Sequence, residues 1–409
     1  MATKAGKVIL TILAAAALGL GALPLLVIAL FFGSGLFLIL LVFFYGSAVC
    51  ALILWNRGSK KVFVPLALIG LVVVVLIGNL LYSSYVESLA SIDESPYDLR
   101  WGYVPFQGDS KTARLEEEPS LQAFKTLPVE ELPRLDGATA LYPVYASFVW
   151  ALYPEIAGEH NFYSPYGGDS IARCSGTSGA YDGLLKGDAD IIFCAGPSKS
   201  QLEKAAAAGR EFVLTPIGRE AFVVLAHREN PVHDISEEAL RDIYSGRIKN
   251  WKELGGKNQP IRAFQRPENS GSQTVLQSVM GETPLIKPRM EDVPSGMGGM
   301  IRQVAAYRNF NNAIGYSFLF FATLMSPDDG IQILSVNGVV PARENIRNGT
   351  YPFSDVFYAV TLVPAEPEDP AGSEDPGARG KRENVRALIE WILSGEGQSL
   401  IEKSGYTPL

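Results

Sequence analysis

Three short stretches concentrate the residue types that can hold an anion. They are Asp136-Gly137-Ala138-Thr139-Ala140-Leu141-Tyr142-Pro143, Cys174-Ser175-Gly176-Thr177-Ser178-Gly179, and Arg266-Pro267-Glu268-Asn269-Ser270-Gly271-Ser272-Gln273-Thr274. Each places small or hydroxyl residues where a helical pattern begins. A helix start offers N–H groups without intrahelical partners at the positive end of the dipole, which suits a phosphate-like anion. Glycine lets the anion approach the backbone, and serine and threonine add hydroxyl donors. Arg266 adds a planar, bidentate, charge-assisted contact. Taken singly, each stretch also reads as ordinary helix capping. The Gly-rich residues 295–299 read as a turn and helix start rather than a fourth such loop.

The elements that must carry these loops follow from local pattern. Thr139 reads as the N-cap of a helix through Val149 and Leu152 that Pro154 stops, with Pro143 in the first turn where its missing N–H costs little. The second stretch follows a short strand and opens a helix ending near Gly187, and a strand at 189–193 comes next. The third follows the strand-like residues 261–264 and opens a helix through Val275, Val279 and Met280. Short β-like runs alternating with helices predict an α/β domain with parallel strands.

The chain has 409 residues and a formal net charge of −8, so no basic surface suggests nucleic acid. An acidic protein that binds an anion must do so with local N–H groups and a few arginines. Apolar residues crowd into three runs, 8–32, 35–55 and 62–82, free of Asp, Glu, Lys, Arg and His. Each reaches the roughly 20 residues that a helix needs to span a bilayer, so the expectation is three transmembrane helices contacting lipid over residues 8–82. Two further runs set aside a cleavable signal peptide in the first. Lys4, Lys7, Arg57, Lys60 and Lys61 place the N-terminus in the cytoplasm, and everything after Tyr82 falls outside. With no ionisable residue for a pore or relay, residues 1–82 read as an anchor of a multi-pass cell-membrane protein. Residues 83–132, with Glu116-Glu117-Glu118, read as an extracytoplasmic linker with some local structure. There Trp101, Tyr103 and Phe106 can pack on the domain or lie at the membrane interface, with packing preferred.

From about Leu135 to Leu409 the chain resembles the PstS-like phosphate-binding proteins of ABC importers. The resembling motifs are GATALYPVYASF, SGTSGAYDGLLKGDADIIF and RPENSGSQT. Supporting pieces are IYSGRIKNW at 243–251, AIGY at 313–316 and the terminal SGYTPL. The resemblance implies a two-lobed type 2 periplasmic-binding-protein fold over residues 133–409, with crossings near 215–220 and 351–358. Lobe one would be 133–216 plus 351–409, and lobe two 217–350, with the anion closed between them. By motif position the ligand contacts would be Thr139, Ala140, Thr177, Arg266, Ser270, Gly271 and Ser272, with Ser178 in support and Glu268 orienting Arg266. An acidic position that some members use to accept a proton from hydrogen phosphate is Ala195 here. Glu220 supplies that acceptor from the crossing segment, or else pairs with Arg219 at an exposed hinge.

The implied function is capture of inorganic phosphate or a related oxyanion for an ABC importer, with permease subunits as partners and no cofactor. An anchored oxyanion sensor or scaffold is the alternative, since tethering raises effective concentration near any membrane partner. A phosphate-ester hydrolase has the least support: HExxH, GxSxG and a P-loop lysine motif are absent. His160, His227 and His233 lack metal-ligand spacing, so neither an enzyme nor a metal protein is expected. Cys174 and Cys194, on the oxidising side of the membrane, leave a disulfide or two buried thiols open. Cys50 falls in an apolar run.

Overall fold

The β-branched and aromatic stretch Arg210–His227 forms one strand of 18 residues, β3, in the computed structural model. The structure describes residues 99–409 apart from 157–161, 168, 289–292, 295, 307–311, 326 and 366–375, together with fragments at 46–51, 53–54, 62, 64–65, 67–71 and 78. By its contacts the chain divides into two units, Met1–Ser91 and Ile92–Leu409. The apolar run 8–32 lies outside the described residues, and the runs 35–55 and 62–82 are described only in pieces. Among the described residues no helix is long and apolar enough to cross a membrane.

In the second unit β1 (Leu135–Gly137) and β2 (Ile191–Cys194) are parallel, as are β5 (Arg262–Ala263) and β6 (Ala313–Phe318). Strand β9 (Ser354–Pro364) joins the two pairs, antiparallel to both β2 and β3, and β3 in turn pairs antiparallel with β6. The sheet order is β1-β2-β9-β3-β6-β5, with β7 (Ile331–Ile333) also on β3. A small parallel pair, β4 (Asp234–Ile235) and β8 (Ser335–Val336), stands apart. The expected α/β arrangement with parallel strands is found within each half. Parallel pairing survives in the two halves, and the strands that run from one half to the other are antiparallel because they cross in opposite directions. The stretches 215–220 and 351–358 fall on this crossing: Thr215 pairs with Ala359 and Glu220 with Asp355. A bulge between Pro216 and Gly218 shifts the register there. Gly218 is required at that point, since a Cβ would stand 2.5 Å from the Phe357 ring.

Among the described residues of the second unit, nine helices are labelled in chain order: α1 (Tyr142–Leu152), α2 (Gly176–Lys186), α3 (Lys199–Ala207), α4 (Glu237–Ser245) and α5 (Gly271–Met280), followed by α6 (Met297–Ala306), α7 (Arg343–Arg347), α8 (Pro376–Leu393) and α9 (Gly395–Lys403). Helix α1 is apolar all round and ten of its eleven residues are buried, so it needs cover on every side. Residues 99–132, which the sequence suggested as a linker, supply part of that cover. Phe106 stacks on Trp150, Arg114 lies 4.0 Å over the Trp150 ring, and Val104 and Leu132 are fully buried. Tyr103 and Phe106 pack against the core, whereas Trp101 is half exposed beside Tyr166.

Candidate anion site

All three loops end at the seam between the halves. Ala140 and Thr177 line a cleft there together with Ala195, and Phe222 and Val275 line it from the other half. Glu220 and Asp355, opposite each other on β3 and β9, complete it. Loops two and three touch directly. A Cβ on Gly271 would meet Thr177 Oγ1 at 2.8 Å, so glycine is the residue that permits the approach. Across the same seam Ser198 Oγ donates to Asn269 Oδ1 at 2.7 Å.

Loop one differs from its sequence reading. Thr139 does not cap the helix: a 3-10 turn, Thr139–Leu141, precedes α1, and no side chain caps either element. The backbone explains this, because the Ala138 N–H still donates to Phe193 O at 2.9 Å and extends the β1 ladder by one residue. The half-buried Thr139 hydroxyl lies 3.9 Å from Cys174 Sγ.

At loop two the buried Asp136 acts as a clamp. Its Oδ1 accepts from the Gly137 N–H (2.7 Å) and the Ser175 N–H (2.8 Å), its Oδ2 accepts from the Ser175 hydroxyl (2.7 Å), and Arg173 stands 3.5 Å away. Ser175 occupies the N-cap of α2 but makes no capping bond, since its hydroxyl is turned to Asp136. The first N–H groups of α2 are thus left without a side-chain cap, with Thr177 buried and Ser178 exposed.

Loop three repeats the pattern. Ser270 is the N-cap of α5 without a capping bond, and the buried Ser270 and Ser272 hydroxyls have no hydrogen-bond partner among the described residues. Arg266, half-buried, is held through its backbone. Its N–H donates to Gln273 Oε1 (2.9 Å) and to the Tyr316 hydroxyl (2.8 Å), and Tyr316 also donates to Gln273. Glu268, expected to orient Arg266, is exposed. Gln273 and Tyr316 hold the arginine backbone, and both stand in the quoted motifs.

Glu220 is no exposed partner of Arg219. Its Oε1 accepts from the Ala221 N–H at 2.8 Å, and its Oε2 is buried without a partner among the described residues. Burial pushes its pKa up to about 8, against smaller opposing hydrogen bonds from the Ala221 and Phe320 backbone. Asp355, on the same cleft wall, escaped the sequence reading because nothing in a strand pattern marks it. Asp136 escaped it too, although it opens the first of the three stretches.

Cys174 and Cys194 are free and buried, and burial raises both thiols. Leu135 of β1 bridges Ala172 on one side and pairs with Ile191 on the other, so Cys174, two residues past that bridge, and Cys194, the last residue of β2, lie on segments that flank β1. Two strand spacings are about 9.5 Å, beyond the roughly 7 Å between Cα atoms that a disulfide spans. The two-thiol reading stands. His160 lies outside the described residues, and no cluster of His, Cys, Asp or Glu that can hold a metal occurs among the described ones.

A family model described as a PBP superfamily domain matches residues 142–396. The phosphate-binding protein PstS of Bacillus subtilis is 36% identical over 137 residues, 32% of this chain and 42% of that protein. The phosphate-binding protein PstS of Borreliella burgdorferi is 26% identical over 199 residues, 47% of this chain and 64% of that protein. The chain thus spans less than two thirds of the length of either relative. A solved structure of a candidate phosphate ABC transporter substrate-binding protein from Clostridium perfringens, with bound phosphate, is 24% identical at a TM-score of 0.47, covering 67% of this chain and 98% of that one.

Proposed function

This chain belongs to the PBP superfamily, and on that premise we propose that its second unit captures inorganic phosphate, or a closely related oxyanion, for an ABC importer. One observation carries the reading. Two uncapped helix starts, with buried and unpartnered Ser270 and Ser272 hydroxyls, meet at Thr177 and Gly271 in one cleft. Buried hydroxyls normally find partners, and an oxyanion accepts from all of these donors at once. The names of the two bacterial relatives point to phosphate.

Glu220 takes over the proton exchange for which Ala195 has no group. Beside a bound oxyanion, a buried carboxyl requires a proton on one of the two partners. Hydrogen phosphate brings its own, whereas sulfate depends on the proton that Glu220 keeps up to about pH 8. Sulfate binding then fades above about pH 8 while phosphate binding persists. Competition calorimetry between the two anions across pH checks this, and equal fading of both would remove Glu220 from the discrimination. The same calorimetry on Arg266→Ala should read a loss of about 1.5–3 kcal/mol, the scale of a charge-assisted hydrogen bond. An unchanged affinity would remove Arg266 from the site.

The apolar runs 8–32, 35–55 and 62–82 and the flanking Lys and Arg support a three-helix anchor in the cell membrane with the N-terminus inside. Anchoring keeps the captured anion near the permease at high effective concentration. Alkaline extraction of membranes tests it, since release of the chain into the soluble fraction would contradict an anchor.

A further inference from the structure

Residues 99–132 do more than cover α1. Their first turn, the 3-10 helix Leu99–Tyr103, carries Arg100 to the anion loop. Arg100 Nη1 donates to Cys174 O at 2.7 Å, and its guanidinium lies 4.3 Å over the Tyr166 ring. Cys174 is followed directly by Ser175-Gly176-Thr177, the start of α2. The backbone before that start is held at each step. The Tyr145 hydroxyl donates to Arg173 O at 2.7 Å, the Cys174 N–H donates to Pro165 O at 3.0 Å, and Asp136 takes the Ser175 N–H and hydroxyl. Arg100 contributes the one charged donor to a main-chain carbonyl in this set. It comes from a segment outside residues 142–396, the stretch that matches the superfamily.

We propose that Arg100 is a positioning residue for the anion site: through Cys174 O it fixes the approach of the chain to α2, so the segment N-terminal to the binding domain sets anion affinity. The proposal rests on the oxyanion reading of the cleft. A guanidinium–carbonyl bond is charge-assisted and stronger than a neutral one. Its loss lets the turn before α2 relax, and the N–H groups of α2 no longer converge with those of α5. Neighbouring Arg114 is the natural control, because it holds the same strap on Trp150 without touching loop two.

The test uses the full chain in detergent, with hydrogen–deuterium exchange in the absence of anion and titration with inorganic phosphate. Arg100→Ala should speed exchange of the amides around Ser175 and Thr177 and weaken phosphate binding, each by about tenfold. Arg100→Lys, which keeps a charged donor, should recover most of both. Arg114→Ala should lower thermal stability while leaving exchange at loop two and phosphate affinity at wild-type values. Unchanged exchange and affinity in Arg100→Ala would overturn the proposal. So would equal effects from Arg114→Ala, which would reduce Arg100 to a strap anchor. Should Arg100→Ala fail to fold, Arg100→Gln replaces it under the same criteria. If the wild type binds no phosphate, the oxyanion reading fails, and the exchange data alone decide whether Arg100 positions the loop.

Discussion

At α3, α4 and α9 a serine at the N-cap turns its oxygen back onto the helix: Ser198 accepts from the Gln201 N–H, Ser236 from the Ala239 N–H and Ser394 from the Gly397 N–H. At α2 and α5 a serine stands in the same position and caps nothing. Ser175 is drawn away by Asp136, and the Ser270 hydroxyl is buried without a partner among the described residues. Both of these serine-headed, uncapped starts adjoin the cleft: Thr177 lines it, and Gly271 meets Thr177. Serine at a helix start therefore has two uses with one sequence signature. Where the oxygen is spent on the helix, the residue stabilises the fold. Where a neighbour withholds it, the N–H groups stay available to a ligand.

Breaking the clamp should have the largest effect. Asp136→Ala leaves Arg173 and the Ser175 N–H without their carboxylate in a buried setting, so a stability loss of about 3–5 kcal/mol is expected in urea unfolding. A loss below about 1 kcal/mol would mean that Asp136 clamps nothing. Next, Ser236→Ala removes a cap in use and should cost about 1 kcal/mol of stability with no change in anion binding. An affinity change there would blur the distinction between the two sets.

The smallest expected effect is pH-dependent. Burial raises Glu220 to about 8, so the folded protein keeps a proton that the unfolded chain releases near its ordinary value of about 4.3. Stability from this group is complete below about pH 4.3 and is lost as pH rises through about 8. Thermal melts of Glu220→Gln should therefore match wild type near pH 4 and lie above it near pH 8.5. The opposite order would show the carboxylate to be stabilised in its ionised form.

The three loops and their order along the chain were legible because small, hydroxyl and glycine residues cluster at helix starts. So were the crossing segments, through the family resemblance. Thr139 misled as a cap, because a 3-10 turn between β1 and α1 cannot be seen in residue types. The hold of Gln273 and Tyr316 on the Arg266 backbone was not legible, because those contacts close only when α5 packs beside β6. Residues 83–132 read as a linker because of their mixed composition and the acidic Glu116-Glu117-Glu118; the order of the part from residue 99 comes from α1, which needs covering on all sides. Asp355 became visible only through its register opposite Glu220.

The uncapped serines beside the cleft serve an anion rather than the fold. The most direct test is phosphate calorimetry on the full chain and on the double variant Ser270→Ala/Ser272→Ala, with unfolding measured in parallel. Wild type should bind phosphate, and the variant should bind it about tenfold or more weakly. The variant's anion-free stability should be unchanged or slightly higher, since no hydrogen bond within the fold is lost. Equal affinity in the two proteins, or a stability loss like that of Ser236→Ala, would contradict that role.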